Sequence, residues 1–206
     1  MILKQFTVGE LLTNCYLIVC DKSKKAAVID PGDGEAADLI LKTIKENNFT
    51  LEYIINTHGH SDHIGGNKKI HLNTSSKLLI HELDSEMLTD SKKNLSFYLG
   101  KEIYSLQADQ FILDGDEVLV GEMRIKIIHT PGHSPGSVCL LMDNVVFTGD
   151  TLFSQGIGRT DLPGGSYKDI IASVKGKLFL LDDNKVIYPG HGPQSTIGKE
   201  FINQVI

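Results

Sequence analysis

The sequence lacks the features that would place it in a membrane or on nucleic acid. No apolar run approaches 18 residues, and residues 1–6 pass into strand-like sequence without a basic segment followed by an apolar one. Neither a membrane span nor an export signal is therefore predicted. Lysine and arginine number 20 against 26 acidic residues, for a net charge of −6, and they form no cluster. Phosphate binding needs clustered positive charge, which argues against a nucleic-acid partner.

Cysteine is also scarce. Cys15, Cys20 and Cys139 have apolar neighbours and lack the close pairing typical of a thiolate zinc site. On one strand, Cys15 and Cys20 would face opposite sides and could not form a disulfide. We interpret all three as small buried side chains and predict a reducing, cytoplasmic location.

The length and composition are those of one globular domain. No low-complexity linker or internal repeat divides the 206 residues, of which 41% are hydrophobic and 22% charged. A chain of this length buries roughly 70% of the surface that its unfolded form exposes. We predict a single domain over 1–206 and leave the oligomeric state open.

Strand and helix patterns occur twice. The first half is predicted to contain strands at 2–7, 14–20, 26–29, 51–56 and 77–80, helices at 35–47 and 65–70, and a less regular helical region at 83–100. The second half is predicted to contain strands at 110–113, 117–120, 123–129, 138–142, 145–147 and 185–188, hairpin turns at 114–116 and 143–144, and helices at 167–178 and from 198 onward. Two such halves that pack sheet against sheet, with helices outside, form an α/β fold, a four-layer α/β/β/α sandwich.

The segment 57–66 carries the strongest chemical signal. Its candidate metal ligands are His58, His60, Asp62 and His63. In an α-helix, residues two apart point about 200° apart, so the first two histidines converge only from an extended loop. We expect the small Gly59 to let the backbone wrap closely around an ion.

Three later residues share one pattern, a polar side chain in a Gly- or Pro-rich loop directly after an apolar strand. They are His133, Asp150 and His191. Loops at strand ends can bring distant ligands to one edge of the sheets. Asp30 also follows an apolar strand, and it is predicted either to cap a helix or to orient a metal ligand.

With these residues in order, the chain resembles the metallo-β-lactamase-fold hydrolases over nearly its whole length, and within them glyoxalase II and its short bacterial relatives. The resemblance implies a first metal ion held by His58, His60 and His133. It implies a second ion held by Asp62, His63 and His191, with Asp150 bridging the two. Two divalent ions are thus the expected cofactors; zinc is the first choice, and iron and manganese also fit these ligands. The histidines outside this set, interpreted as surface, packing or site-edge residues, are His71, His81 and His129.

The same resemblance implies the chemistry. The expected enzyme hydrolyses a small-molecule thioester, S-(2-hydroxyacyl)glutathione or a similar thiol ester. The attacking group is a metal-bridging hydroxide, formed from a water whose pKa is lowered toward ~7. Asp62 is then both a ligand and the catalytic group that orients the nucleophile. Arg159, in the loop after Asp150, stands where related proteins place a basic residue facing the thiol carrier. It is the predicted substrate-binding residue, and a solvent-exposed arginine is the alternative.

Other activities stay open at this point. A mononuclear-iron persulfide dioxygenase would use His58, His133 and Asp150 around one iron. A lactone hydrolase would use the same hydroxide, and a metal-buffering module would have no substrate. Long-form glyoxalase II carries an extra C-terminal helical region that completes its glutathione site, whereas this sequence ends soon after His191. The identity of the thiol carrier is therefore also open.

Overall fold

The computed structural model describes residues 1–203, and two six-stranded sheets lie at its centre. The first sheet contains, in spatial order, β1 (Ile2–Val8), β2 (Thr13–Val19), β3 (Lys25–Ile29), β4 (Thr50–Ile55), β5 (Lys77–Ile80) and β6 (Gln110–Phe111). Strands β1 to β3 pair antiparallel, whereas β3 to β6 pair parallel. The ends of β4 and β5 therefore lie at the same edge.

The second half of the chain supplies the other sheet. Its strands are β7 (Glu117–Val120), β8 (Met123–His129), β9 (Val138–Met142), β10 (Val145–Gly149), β11 (Leu152–Phe153), β12 (Gly156–Ile157), β13 (Val186–Pro189) and β14 (Ser195–Thr196). The sheet order is β14-β13-β10-β9-β8-β7, and β11 pairs with β12 in a separate hairpin. Because β10 and β13 are parallel and the other neighbours are antiparallel, strands β8, β10 and β13 all end at one edge.

Helices cover the outer faces of both sheets. The α-helices are α1 (Gly34–Asn47), α2 (Ser61–Ile64), α3 (Asn67–Thr74), α4 (Tyr167–Gly176) and α5 (Ile197–Ile202), and 3₁₀-helices cover Glu82–Leu88, Ser96–Leu99 and Leu178–Leu180. Helix α1 begins at a side-chain cap, since Asp33 accepts hydrogen bonds from the backbone N–H groups of Glu35 and Ala36. Within residues 1–203, no helix is long and apolar enough to cross a membrane.

Three hydrophobic clusters separate four layers. Successive residues of β2 face opposite sides, so Leu17 packs in the cluster beneath α1, and Ile18 packs between the two sheets. A third cluster joins the second sheet to α4 and α5 through Val146, Ile170 and Ile197. The layers run helix, sheet, sheet, helix, which confirms the predicted α/β/β/α sandwich.

The structure corrects two predictions. Residues 110–113 are predicted in the second half, but β6 pairs with β5 in the first sheet, with Gln110 opposite Leu79. The turn at 114–116 therefore joins two sheets and is not a hairpin. Both errors arise because pairing with distant residues, and not the local pattern, decides the sheet to which residues 110–113 belong. The less regular helical region predicted at 83–100 consists of 3₁₀-helices joined by turns.

The three cysteines are buried and unpaired, as predicted. The helix expected from residue 198 onward is α5, which begins at Ile197. Residues 204–206 lie outside the described residues, so the extent of the domain over 1–206 stays a prediction.

Candidate metal centre

Seven side chains converge at the sheet edge where β4, β8, β10 and β13 end. Their donor atoms form three groups, each with all atoms within 4.8 Å: His58, His60 and His133; Asp62, His63 and His191; and His58, His63 and Asp150. The third group shares one residue with each of the others, so Asp150 lies between them. Two sets joined by Asp150 match what the family resemblance implies, while the role of each residue as a ligand stays a prediction.

The His-rich segment combines an extended loop with one helical turn. His60 has extended backbone, with φ −68° and ψ 149°, as the two-residue spacing of His58 and His60 predicts. Asp62 and His63 instead lie on the four-residue helix α2, which is too short to show a periodic pattern. This helical turn places Asp62 and His63 in one donor group with His191.

Two glycines make close approach possible. A Cβ atom on Gly59 would lie 2.5 Å from the Cβ of Met87, so this glycine accommodates the 3₁₀-helix Glu82–Leu88. Packing against Met87 is thus one reason for a glycine here, and the expectation that it lets the backbone wrap around an ion stays a prediction. A Cβ on Gly190 would lie 2.1 Å from Asp150 Oδ1. The residue before the last histidine must therefore also lack a side chain.

The donor set fits divalent metal ions. Within the described part of the chain, three of its buried atoms have no hydrogen-bond partner: His58 Nε2, His60 Nε2 and Asp150 Oδ1. Buried polar atoms are almost always paired. The ring nitrogens His60 Nδ1 and His133 Nε2 lie 2.9 Å apart. Imidazole and carboxylate groups that face one another in this way are the ligands of zinc, iron and manganese sites.

Asp30 orients one of the histidines. Its Oδ2 atom lies 3.0 Å from His63 Nδ1, and its carboxylate accepts hydrogen bonds from the backbone N–H and the hydroxyl of Thr57 at 2.8 and 2.7 Å. Of the two roles predicted for Asp30, the contacts support orientation of a metal ligand. The helix cap is Asp33.

Backbone carbonyls orient two further histidines. His133 Nδ1 lies 2.8 Å from the carbonyl oxygen of Arg159, and His191 Nδ1 lies 2.9 Å from that of Leu11. The side-chain amide of Asn14 also donates to carbonyls on both sides of His191, at 3.0 and 2.8 Å. The sequence does not predict these carbonyl contacts, since every residue type carries a carbonyl.

A buried carboxylate, Asp84, connects two ligand loops, and the sequence does not single it out. It accepts hydrogen bonds from Gly59 N at 3.0 Å, Gly136 N at 2.7 Å and Ser134 Oγ at 2.6 Å. Burial raises the pKa of Asp84, although these donors oppose the shift. The loops that carry His60 and His133 are therefore held to one side chain.

The charges of the cluster suit metal binding. Burial, reinforced by His133, lowers the pKa of His60 to about 3, so its ring is neutral, the form that binds metals. Burial opposes ionisation of Asp62 and Asp150, but neighbouring His63 outweighs it and lowers both pKa values. Burial disfavours a charged His191, yet Asp150 and Asp62 raise its pKa to about 10. Metal binding there must displace a proton.

The cluster opens into a cavity of about 820 Å³, to which it contributes His60, Asp62, His133, Asp150 and His191. The predicted substrate-binding residue, Arg159, lines this cavity. Its guanidinium forms a two-point ion pair with Asp161, with Nε–Oδ1 and Nη2–Oδ2 both 2.8 Å. The role of Arg159 in substrate binding stays a prediction, and its charge already has a partner in Asp161.

The remaining histidines lie outside the cluster. His81 and His129 stack on each other with ring centroids 4.2 Å apart and an interplanar angle of 9°, and His129 Nε2 lies 2.9 Å from the carbonyl of Pro135. His71 Nδ1 lies 2.9 Å from the carbonyl of Ser76. None of them belongs to the three donor groups formed by residues 1–203.

A fold with helices outside two sheets, and His and Asp donors gathered at one edge, defines a class of metal-dependent hydrolases. The model of the Metallo-beta-lactamase superfamily matches residues 8–191. The chain belongs to this superfamily.

Relatives and solved structures agree with this assignment. The chain is 37% identical to hydroxyacylglutathione hydrolase GloC of Haemophilus influenzae, over 91% of this chain and 89% of that protein. It is 34% identical to the probable metallo-hydrolase YqgX of Bacillus subtilis, over 94% and 92%.

Among solved structures, the BLEG-1 B3 metallo-beta-lactamase superposes with a TM-score of 0.92 at 35% identity, over 98% of this chain and 97% of that one. The di-iron-bound form of TTHA1623 superposes with a TM-score of 0.84 at 31% identity, over 96% of each chain. ETHE1 from Myxococcus xanthus gives 0.81 at 29% identity, over 97% and 81%. The family and the donor cluster support divalent metal ions as cofactors.

Proposed function

We propose that the protein is a dinuclear-metal thioesterase that hydrolyses S-(2-hydroxyacyl)glutathione or a similar thiol ester. The observation that carries this proposal is the arrangement of two donor groups around Asp150 at the floor of a substrate-sized cavity. The similarity to a protein named hydroxyacylglutathione hydrolase supports the choice of a thioester. A cytoplasmic location and a small-molecule partner are part of the same proposal.

In this proposal, His58, His60 and His133 would hold one ion. Asp62, His63 and His191 would hold a second ion, and Asp150 lies between the two donor groups and would serve as a ligand. When bound, such ions act as Lewis acids and lower the pKa of a coordinated water to about 7. We propose zinc; the di-iron-bound form of TTHA1623 is the reason to measure iron as well.

The protein side chains then position the reactants. Asp62 lines the cavity, and Thr13 Oγ1 donates to its Oδ2 at 2.9 Å, so the carboxylate is fixed in direction. We assign to it the orientation of the attacking water. Water adds to the thioester carbonyl carbon, the carbon–sulfur bond breaks, and the products are a carboxylic acid and a thiol.

The second candidate is the mononuclear-iron persulfide dioxygenase. His133 Nε2 lies 3.5 Å from Asp150 Oδ2, and Asp150 shares a donor group with His58, so the three residues which that activity would use are adjacent. A lactone hydrolase would use the same centre as the thioesterase.

One experiment separates these candidates. Purified protein is assayed on thioesters, lactones and glutathione persulfide, and zinc, iron and manganese are measured on the same sample. We expect two metal equivalents and thioester hydrolysis, with strong loss in Asp62→Ala and none in the control His71→Gln, which lies outside the cluster. One iron per chain with oxygen consumption on the persulfide would contradict the thioesterase.

A further inference from the structure

The walls of the cavity are apolar. Beyond the donor residues, its lining is dominated by Leu11, Leu95, Tyr98, Leu99, Phe153 and Ile157. These side chains come from three separate segments, namely the β1–β2 turn, the region of the 3₁₀-helix Ser96–Leu99 and the β11–β12 hairpin. Three segments that are distant in sequence thus present apolar groups to the same opening.

Several of these residues are exposed to an extent that is unusual for their type. Tyr98 is 68% exposed, Leu99 64% and Leu11 54%. Large apolar side chains that cluster on a surface usually mark a binding site. Because this patch is continuous with the donor cluster, we assign the substrate itself as the occupant.

The described residues that line the cavity offer little positive charge to a carboxylate on the thiol carrier. Among the described residues that line it, Arg159 is the only lysine or arginine. One edge of its guanidinium, formed by Nε and Nη2, donates to Asp161 at 2.8 Å each, so the charge of Arg159 is already balanced. A thiol carrier with two carboxylates, such as glutathione, would meet a single arginine at the cavity, and that arginine already has an acidic partner.

We propose that the cavity selects thioesters whose thiol carrier is apolar and uncharged over thioesters of glutathione. This proposal rests on the thioesterase function and narrows its substrate class. The 2-hydroxyacyl carbonyl lies at the donor cluster, and the carrier lies against the apolar walls. The paired Arg159 and Asp161 form a neutral rim.

The first test is a series of thioesters that share one lactoyl group. Chain length is varied from ethanethiol to hexanethiol, and charge is varied between glutathione and its N-acetylated diamide, which carries no charge and is called the diamide below. We expect kcat/KM to rise about two- to fourfold per methylene and the diamide to be hydrolysed faster than glutathione thioester. A flat chain-length series, or faster hydrolysis of the glutathione thioester, would overturn the proposal.

Variants locate the effect. Leu99→Ser and Tyr98→Ser should flatten the chain-length series. Leu180→Ser should not, because it changes an exposed leucine that lies outside the cavity. Asp161→Asn frees Arg159 and should raise kcat/KM for the glutathione thioester about three- to fivefold, with no gain for the diamide. Unchanged ratios of kcat/KM between substrates in Leu99→Ser, Tyr98→Ser and Asp161→Asn would contradict the assignment.

A binding measurement keeps the substrate class separate from the reaction. Calorimetry compares S-hexylglutathione with its N-acetylated diamide, neither of which has a thioester to cleave. Tighter binding of the diamide, if it is lost in Leu99→Ser, supports selection of an apolar and uncharged carrier. This result stands even if no thioester is hydrolysed. Absence of thioester hydrolysis refutes only the thioesterase function. Equal or tighter binding of the charged compound refutes the selectivity.

Discussion

Removal of the Asp84 carboxylate should weaken one metal position and leave the other nearly intact. Asp84 is buried and holds the backbone of Gly59, between His58 and His60, to the loop of His133. These three histidines form one donor group. Asp84→Ala therefore releases one proposed ligand set, while the set around His63 keeps its own support from Asp30.

The magnitude follows from the hydrogen bonds. The substitution leaves the N–H groups of Gly59 and Gly136 without their acceptor, whereas Ser134 Oγ keeps Ser137 Oγ as a partner at 2.7 Å. Each unsatisfied buried group costs about 1–3 kcal/mol. Part of this is offset because the buried charge itself is unfavourable, as the raised pKa of Asp84 indicates. We expect a net loss of about 2–4 kcal/mol in the free energy of unfolding. Loss of such an orienting group typically lowers metal affinity about 10- to 100-fold.

The assay is a zinc titration against a chromophoric chelator, together with denaturant unfolding. Asp84→Ala should shift one of two binding steps, Asp30→Ala should shift the other, and the double variant should shift both. Asp84→Asn keeps the shape of the side chain but turns its amide toward one N–H donor. Its metal affinity and free energy of unfolding should therefore lie between those of wild type and Asp84→Ala. Asp38→Ala is the control, since Asp38 is exposed and paired only with Lys69 on the surface.

Two results would refute this reasoning. If Asp84→Ala and Asp30→Ala shift the same binding step, the two carboxylates do not support separate ligand sets. If the free energy of unfolding of Asp84→Ala lies within about 0.5 kcal/mol of the wild-type value, as it does for surface substitutions, the three hydrogen bonds of Asp84 do not hold the loops together.

Three further predictions concern the glycines, the stacked histidines and the metal. Gly190→Ala should lower metal content at least about tenfold, because its Cβ would displace Asp150. Gly176 has open space around it, so Gly176→Ala should stabilise the protein by about 0.5–1 kcal/mol. Equal metal content in the two variants would contradict this prediction. Burial and His129 lower the pKa of His81, so as pH falls the unfolded state takes up the proton before the folded state does. Wild type should therefore lose stability relative to His81→Asn between pH 7 and pH 5. Parallel pH dependences of the free energy of unfolding in the two proteins would disprove this prediction. Chelation should lower the melting temperature, since ligand at 1,000 times Kd contributes about 4 kcal/mol, and an unchanged melting curve would exclude bound metal.

The sequence predicts those parts of the site that depend on residue type and spacing. The two-residue step from His58 to His60 requires an extended loop, and His133, Asp150 and His191 each follow a strand that ends at the shared edge. The layer order also follows from the sequence, because strands buried on both faces need helices outside and a second sheet inside.

Features that depend on distant partners are not predictable in this way. Asp84 lies in a segment without a periodic pattern, and its importance appears only when Gly59 and Gly136 are brought to it. The carbonyl of Leu11 carries no residue-type signal at all. Strand β6 is two residues long, so only its pairing with β5 decides its sheet.

The contact between Leu11 and His191 has a consequence for the timing of synthesis. The two residues are 180 positions apart, and a ribosome that adds about 5–20 residues per second needs roughly 9–36 s to make that stretch. During this interval the N-terminal hairpin and the His-rich loop emerge without their last partner. Occupancy of the second proposed metal position therefore reports that the segments around Leu11 and His191 have met.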